Sequence, residues 1–278
     1  MAIELATQYL PYVDEMFTTE SKKSLLTNQD FSWDGAHTVK VYSVSTAQMQ
    51  DYGRGGPGVG NWSRYGEVDG LDSVTQAMAL SKDRSFTFAI DKLDEDETTR
   101  AMQAASALAR QLRDVCIPEI DQWVYRQMCE NAGQKPAAAA LSASNIYEKI
   151  IEGNAALDNA EAPETERCIL VTPDVYLLLK KNRDIVLETD IGNSLRMNGV
   201  IAMLDGASII KIPAGRVPDN FGFLIAHPCA TVAPVKLEDY KIHQDPPGIS
   251  GSLVEGRLNY DAFVLENKKD AIYYQARV

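Results

Sequence analysis

Clustered positive charge is the first thing this 278-residue chain lacks. Its 27 lysines and arginines face 39 acids, for a net charge of −12, and only Lys22-Lys23, Lys180-Lys181 and Lys268-Lys269 are adjacent basic pairs. Gripping a phosphate backbone requires grouped Lys and Arg, so a nucleic-acid-binding stripe is excluded. Enclosing nucleic acid without holding it is not. No run approaches the roughly 18 consecutive apolar residues of a membrane span. Met1 to Leu10 carries Glu4 and no basic stretch, so it does not read as a secretory signal. Cysteine is scarce too. Cys116, Cys129, Cys168 and Cys229 show no CxxC spacing and read as reduced, packed thiols. The three histidines, His37, His227 and His243, share no ligand spacing with each other or with the cysteines, which argues against zinc.

Catalytic motifs are missing as well. Gly53-Arg54-Gly55-Gly56-Pro57-Gly58-Val59-Gly60 invites a phosphate-loop reading, but Asn61-Trp62-Ser63-Arg64-Tyr65-Gly66 follows instead of a helix start, and no Gly-Lys-Ser/Thr occurs. An EF-hand beginning at Asp91 would need Gly at Asp96 and Glu at Met102. Gly248-Ile249-Ser250-Gly251-Ser252 places its second glycine one residue too early for a nucleophile elbow. The expectation is no enzyme, no cofactor and no metal.

What is present is ordinary for a folded protein, 45% hydrophobic and 24% charged, with an unusual distribution. Residues 1 to 37 have weak periodicity and read as an arm ordered by lying on something else. Thr38 to Ser45 alternates as a strand does. A Gly-rich excursion from Thr46 to Asp83 follows, and Val74–Leu80 and Phe86–Ile90 are its expected returning strands. A structureless loop this long is rare inside a compact domain, whereas an extended two-stranded loop resting on a neighbour is reasonable. Asp91, Asp94, Glu95, Asp96 and Glu97 then crowd the expected start of a helix, where negative charge is favoured. From Thr98 the apolar period is helical through Met128, with Gly133 as the stop. Unbroken, this helix would be about 38 residues and 55 Å long. Pro118 predicts a kink, with a frayed turn near Val115.

Beyond it, Ser144 or Asn145 caps a second helix towards Leu157. Cys168–Thr172 is a buried strand, and Tyr176–Lys181 a short helix. Ala207–Ile212, Phe221–Ala226, Thr231–Val235, Leu258–Leu265 and Ala271–Tyr274 are strand-like. Ile185 to Leu204 is ambiguous. The class is mixed α+β.

These pieces, in this order, resemble the major capsid proteins of tailed bacteriophages, the Hong Kong 97-type fold. The resemblance spans essentially the whole chain. Gln50-Asp51-Tyr52-Gly53-Arg54, Lys82 to Asp91 through Asp94-Glu95-Asp96-Glu97-Thr98, and Gly256 to Leu265 with Asn267 to Tyr273 carry it. It implies an N-terminal arm (1–37), a strand and extended loop (38–93), a spine helix in a peripheral domain (94–135), an axial domain with peripheral-sheet crossings (136–255) and C-terminal peripheral strands (256–278). It further implies hexamers and pentamers of the chain itself, closing as an icosahedral virion shell assembled in the host cytoplasm around double-stranded DNA, with no membrane and no sequence-specific DNA contact. Portal and decoration proteins are the implied partners. The chain starts almost at the arm, so a separate scaffolding protein, or a mature form, is expected. Tyr52, Arg54, Trp62, Arg64, Asp83 and Arg84 are the subunit-interface candidates, Asp83 and Arg84 as inter-subunit ion-pair partners. The lysine–asparagine cross-link of the founding member is not expected, because the loop tip carries Arg54 and Arg64 and the loop's only lysine, Lys82, lies at its base. The rival readings are an encapsulin-like compartment holding an enzyme cargo, and an intracellular enzyme with a Gly-rich lid.

Overall fold

A computed structural model describes residues 20–28, 38–56, 62–68, 70–97, 103–182 and 200–278. The chain divides into two compact units, Gly35–Ala79 and the remainder.

The smaller unit is a ribbon. Strand β1 (Thr38–Val44) pairs antiparallel with β2 (Ser73–Ala79), from Thr38 opposite Ala79 to Val44 opposite Ser73. Val39, Val41 and Ser43 share one face, as their alternation predicts. Hydrogen bonds continue past the strands: the Ser45 N–H donates to Asp72 O (2.8 Å), and the Gly53 N–H to Arg64 O (2.8 Å). Between them the Gln50 amide bonds the Glu67 backbone in both directions, its Oε1 accepting at 2.7 Å and its Nε2 donating at 3.3 Å. Gly66, at φ +93°, lies against the Gln50 side chain where any Cβ would collide, so glycine is what lets this clamp form. The expected loop is therefore zipped together well beyond its strands. Pro57 to Gly60, the expected tip, lie outside the described residues.

In the larger unit, β3 (Lys82–Asp91), β10 (Gly251–Tyr260) and β9 (Val235–Gln244) form an antiparallel sheet in the order β3-β10-β9. A five-stranded sheet runs β12-β7-β4-β6-β5, from β12 (Ile272–Ala276), β7 (Phe221–Ala226), β4 (Cys168–Val171), β6 (Ala207–Lys211) and β5 (Val200–Leu204). Among the described strands of this sheet, only β4 and β6 pair in parallel with each other. Short strands β8 (Thr231–Val232) and β11 (Phe263–Val264) pair separately. The helices are α1 (Lys92–Glu97), α2 (Ala104–Gln111), α3 (Ile117–Glu130), α4 (Ile146–Asn159) and α5 (Pro173–Lys181). Thr172 caps α5, its hydroxyl accepting from the Val175 N–H at 3.5 Å, and Pro173 occupies the first turn, where no donor is needed. The core joins the apolar face of α3 (Ile120, Val124, Met128) to the five-stranded sheet and α4.

Four expectations change. Phe86–Ile90 belongs to the three-stranded sheet rather than to the loop's return. The long helix is not unbroken: Gln103 is extended (ψ 135°), so α1 is a separate short helix and the spine begins at Ala104. From Ala104 to Glu130 it spans about 40 Å. Leu112–Cys116 is a π-helical turn, with the Ile117 N–H bonding Leu112 O five residues back. Proline at 118 cannot donate and crowds the preceding turn, and one widened turn absorbs both problems. This is the predicted irregularity near Val115. Leu258–Leu265 is not one strand: β10 ends at Tyr260, and buried Asp261 turns the chain before β11. Strand β9 was not legible at all. Its apolar alternation slips phase between Leu237 and Tyr240, with Glu238 and Asp239 between them.

Across the three-stranded sheet, Phe86, Gly256 and Tyr240 form one row. The Phe86 and Tyr240 rings stack at 6.3 Å, and a Cβ on Gly256 would run into Phe86. Gly256→Val is expected to destabilise the subunit by about 1–3 kcal/mol through overpacking, read from its denaturant midpoint. Gly55→Ala, with open space around it, should change stability by no more than about 0.5 kcal/mol.

Candidate subunit interface

Strand alternation sends neighbouring side chains of β3 to opposite faces, and this sorts the two charged candidates. Arg84 shares the face of Phe86 and Phe88 and pairs through Nε with Glu119 of α3 at 2.8 Å. The Tyr260 hydroxyl donates to the same Glu119 oxygen at 3.1 Å. Asp83 points the other way and receives the Arg257 guanidinium in a two-pronged contact at 2.9 and 2.5 Å. Those hydrogen bonds hold its carboxyl below the ordinary carboxylate value. Both candidates are thus paired within their own chain.

Next to them, Lys82 places Nζ 3.8 Å from the centroid of the Trp123 ring. The indole N–H donates to Asp261 Oδ1 at 2.8 Å, and that carboxylate also accepts the backbone N–H groups of Ser81 and Ala262 at 2.8 Å each. Asp261 therefore fixes Trp123 on the spine, the root of β3 and the end of β10 at once. A cleft of about 470 Å³ opens there, lined by Lys82, Trp123, Glu119, Glu130 and Asp219 among others. The sequence did not single it out, because its residues come from four separated segments.

On the ribbon unit, Tyr52 and Tyr65 pack edge to face at 5.0 Å yet stay 50% and 78% exposed. Trp62 is 84% exposed and Met49 fully so. Arg54 and Arg64 are exposed and have no ion-pair partner among the described residues. The structure brings Tyr52, Arg54, Trp62 and Arg64 onto this one unit, with Asp83 and Arg84 on the other.

A second polar cluster was missed entirely. Asp121 on α3 is fully buried and pairs with Arg216, itself buried, at 2.8 Å. Ser21 Oγ donates to its other oxygen at 2.6 Å. Lys23 lies nearby, its ammonium destabilised by burial against the opposing pull of Asp121 and Glu238. Burial lifts the Asp121 carboxyl above its ordinary value, outweighing Ser21, Arg216 and Lys23. Leu26 is fully buried, and the Asn28 N–H bonds Thr231 O at 2.7 Å. The root of the expected arm is thus clipped onto its own subunit; residues 1–19 and 29–37 lie outside the described residues. A signal existed: Asp121 sits on the helical stripe of Ile120, Val124 and Met128, where a charge demands a partner. The thiols of Cys129 and Cys168 are pushed up to about 12 and 11 by burial, which makes them poor nucleophiles at neutral pH.

No family model matches the chain, and no curated protein matches it. Solved structures do. One from Mycobacterium phage Che8 is 17% identical, with 99% of this chain and 96% of that one covered at a TM-score of 0.73. The capsid structure of the Cyanophage P-SCSP1u gives 14% identity, 99% and 93% coverage and 0.75. The asymmetric unit of the bacteriophage PhiM1 mature capsid gives 14%, 100% and 92%, and 0.70. The chain has the fold of these phage structures, the latter two of them capsids, in keeping with the Hong Kong 97-type fold that its sequence resembles.

Proposed function

We propose that the chain is a major capsid protein whose copies close into an icosahedral shell around double-stranded DNA, a structural role and not an enzymatic one. The observation that carries this reading, beside the fold, is the ribbon unit Gly35–Ala79. A two-stranded hairpin is marginal alone in water. This one is held in a defined shape while Trp62, Tyr65, Val68, Leu71 and Met49 stay mostly in solvent. Large apolar side chains kept rigid and exposed belong against another molecule. In a ring of copies, each ribbon would lie on its neighbour and recover that area. The expected segments keep their roles here: arm, loop, spine, axial domain and C-terminal strands, with hexamers and pentamers as the rings. Tyr52, Arg54, Trp62 and Arg64 are the proposed contact residues. Arg84 braces the spine against the sheet from within, and Asp83 ties β3 to β10. A scaffolding protein, a portal and decoration proteins complete the proposed partners, and the virion is the proposed location, after assembly in the host cytoplasm.

Electron microscopy of the chain expressed alone, and then with its scaffolding partner, tests the reading. Closed shells, tubes or aberrant polyhedra are expected. Compact monomers under both conditions would overturn it, and shells formed alone and filled with protein would favour the cargo compartment.

A further inference from the structure

The three-stranded sheet ends on one side in β9, a strand of 10 residues whose outer edge pairs with nothing among the described residues. The Asp245 N–H donates to Gly251 O at 2.7 Å, so the backbone of Asp245 faces β10. Antiparallel alternation then turns the N–H and C=O groups of Glu238, Tyr240, Ile242 and Gln244 outward. Lys241 to Gln244 are exposed, the apolar Ile242 among them. An edge of this length is a template for another chain unless proline, a covering element or charge blocks it. Proline stands only beyond the strand, at Pro234 and Pro246. That leaves the charges.

Their order attracts a second copy of the same edge. Asp239 and Lys241 flank Tyr240 on one face of the sheet and pair with each other at 2.9 Å, both side chains about half exposed. Let β9 lie antiparallel to β9 of a second copy, with the two-fold axis at Tyr240. Asp239 of each chain then stands opposite Lys241 of the other, at non-hydrogen-bonded positions, where cross-strand side chains come closest. Pro234 and Pro246 are equidistant from Tyr240, so this register also gives the longest ladder free of proline. Neighbouring registers fail. An axis at Asp239 or Lys241 puts like charges on it, and an axis at Ile242 sets Asp239 against Asp245. An axis at Glu238 sets Ile242 against Pro234, which has no N–H to give. We propose that β9 joins β9 of a second copy across a two-fold axis at Tyr240, merging two three-stranded sheets into one of six strands, an ordinary sheet size. Within a shell this contact ties one ring of copies to the next; the pairing itself stands apart from the shell reading.

Charge exchange within one chain tests it. Both side chains reach solvent, so substitutions there should leave folding intact, which thermal unfolding checks. Asp239→Lys sets lysine against lysine at both cross-pairs and is expected to weaken dimerisation of the unassembled chain at least tenfold by sedimentation equilibrium. Adding Lys241→Asp to the same chain reverses both pairs and should restore dimerisation to within about threefold. Cysteines read the register, in a Cys229→Ser background that removes the native thiol that is not buried. An equimolar mixture of Asp239→Cys chains and Lys241→Cys chains should give a disulfide-linked dimer on mild oxidation, because the opposed Cα atoms would lie about 4.5 Å apart, within disulfide reach. Neither variant alone should link, since its own two thiols are offset along the strands. Dimerisation of Asp239→Lys at wild-type strength would overturn the pairing, as would a loss that Lys241→Asp fails to rescue, or linkage equal in mixed and unmixed chains. If any of these occurs while wild-type chains build shells, the shell reading stands without this contact. Dimers that behave as expected but never build shells would leave the contact standing and sink the shell reading. A wild-type chain that stays monomeric would overturn both.

Discussion

Deleting Asp51 to Gly70 is expected to leave a folded subunit that builds no shells. The cut removes the outer half of the Gly35–Ala79 unit and none of the buried core. Its ends can be rejoined by a short turn, because Ser45 and Asp72 already exchange hydrogen bonds at 2.8 and 2.9 Å. Loop length itself costs little, since each doubling is worth only about 0.6 kcal/mol. The thermal midpoint should therefore stay within a degree or two of the wild type. Assembly should fall below detection, because the removed segment carries Tyr52, Trp62, Tyr65 and Val68, the large exposed apolar groups of the ribbon's outer half. Their burial, repeated around every ring, is the main attraction proposed between copies. Sedimentation and electron microscopy of the deleted chain, alone and with the proposed scaffolding partner, read the result. Normal particles would remove the loop from the assembly mechanism.

The second large effect lies inside the subunit. Arg216→Met is expected to destabilise it by about 3–5 kcal/mol, because the change leaves Asp121 buried without its main counter-charge. Lys23 remains close, which places the loss towards the lower end of that range. In a chain of this size the thermal midpoint should drop by roughly ten degrees. Replacing both partners, with Asp121→Leu and Arg216→Met, removes the stranded charge and should recover most of the loss.

The pH dependence has a definite sign. Burial already raises the Asp121 carboxyl above its ordinary value, and loss of Arg216 raises it further. A group raised in this way favours folding when protonated, so that contribution is fully present in acid and fades as pH rises through the elevated value. The Arg216→Met defect should therefore be greatest at neutral pH and shrink on acidification. A defect that stays flat with pH would mean that Asp121 does not feel Arg216. Since Ser21 hangs on the same carboxylate, cleavage by protease near the arm root should rise in parallel.

Much of the architecture follows from local pattern. A period-two run placed β1, and short apolar runs bounded by prolines placed β4, β6 and β7, close to their observed bounds, and α5 followed from Thr172-Pro173 and the apolar run beyond. Proline at 118 inside a helical stripe forced an irregularity, which the fold resolves as a π turn. These features are local because backbone donors and apolar periodicity act over a few residues. The ribbon was legible for the opposite reason: a Gly-rich stretch poor in core residues cannot bury itself. Other features only the tertiary structure decided. Strand β9 exists because β10 offers a row of partners that outweighs its broken alternation. Asp83 and Arg84, adjacent in sequence, are assigned to opposite faces and different partners by the pleat of β3 and the position of α3. Trp123, Tyr260, Lys82 and Asp219 line one cleft although up to 178 positions separate them. A chain's local preferences set its elements, but long-range pairing alone determines which side chains meet, because the distances between them do not exist until the core has closed.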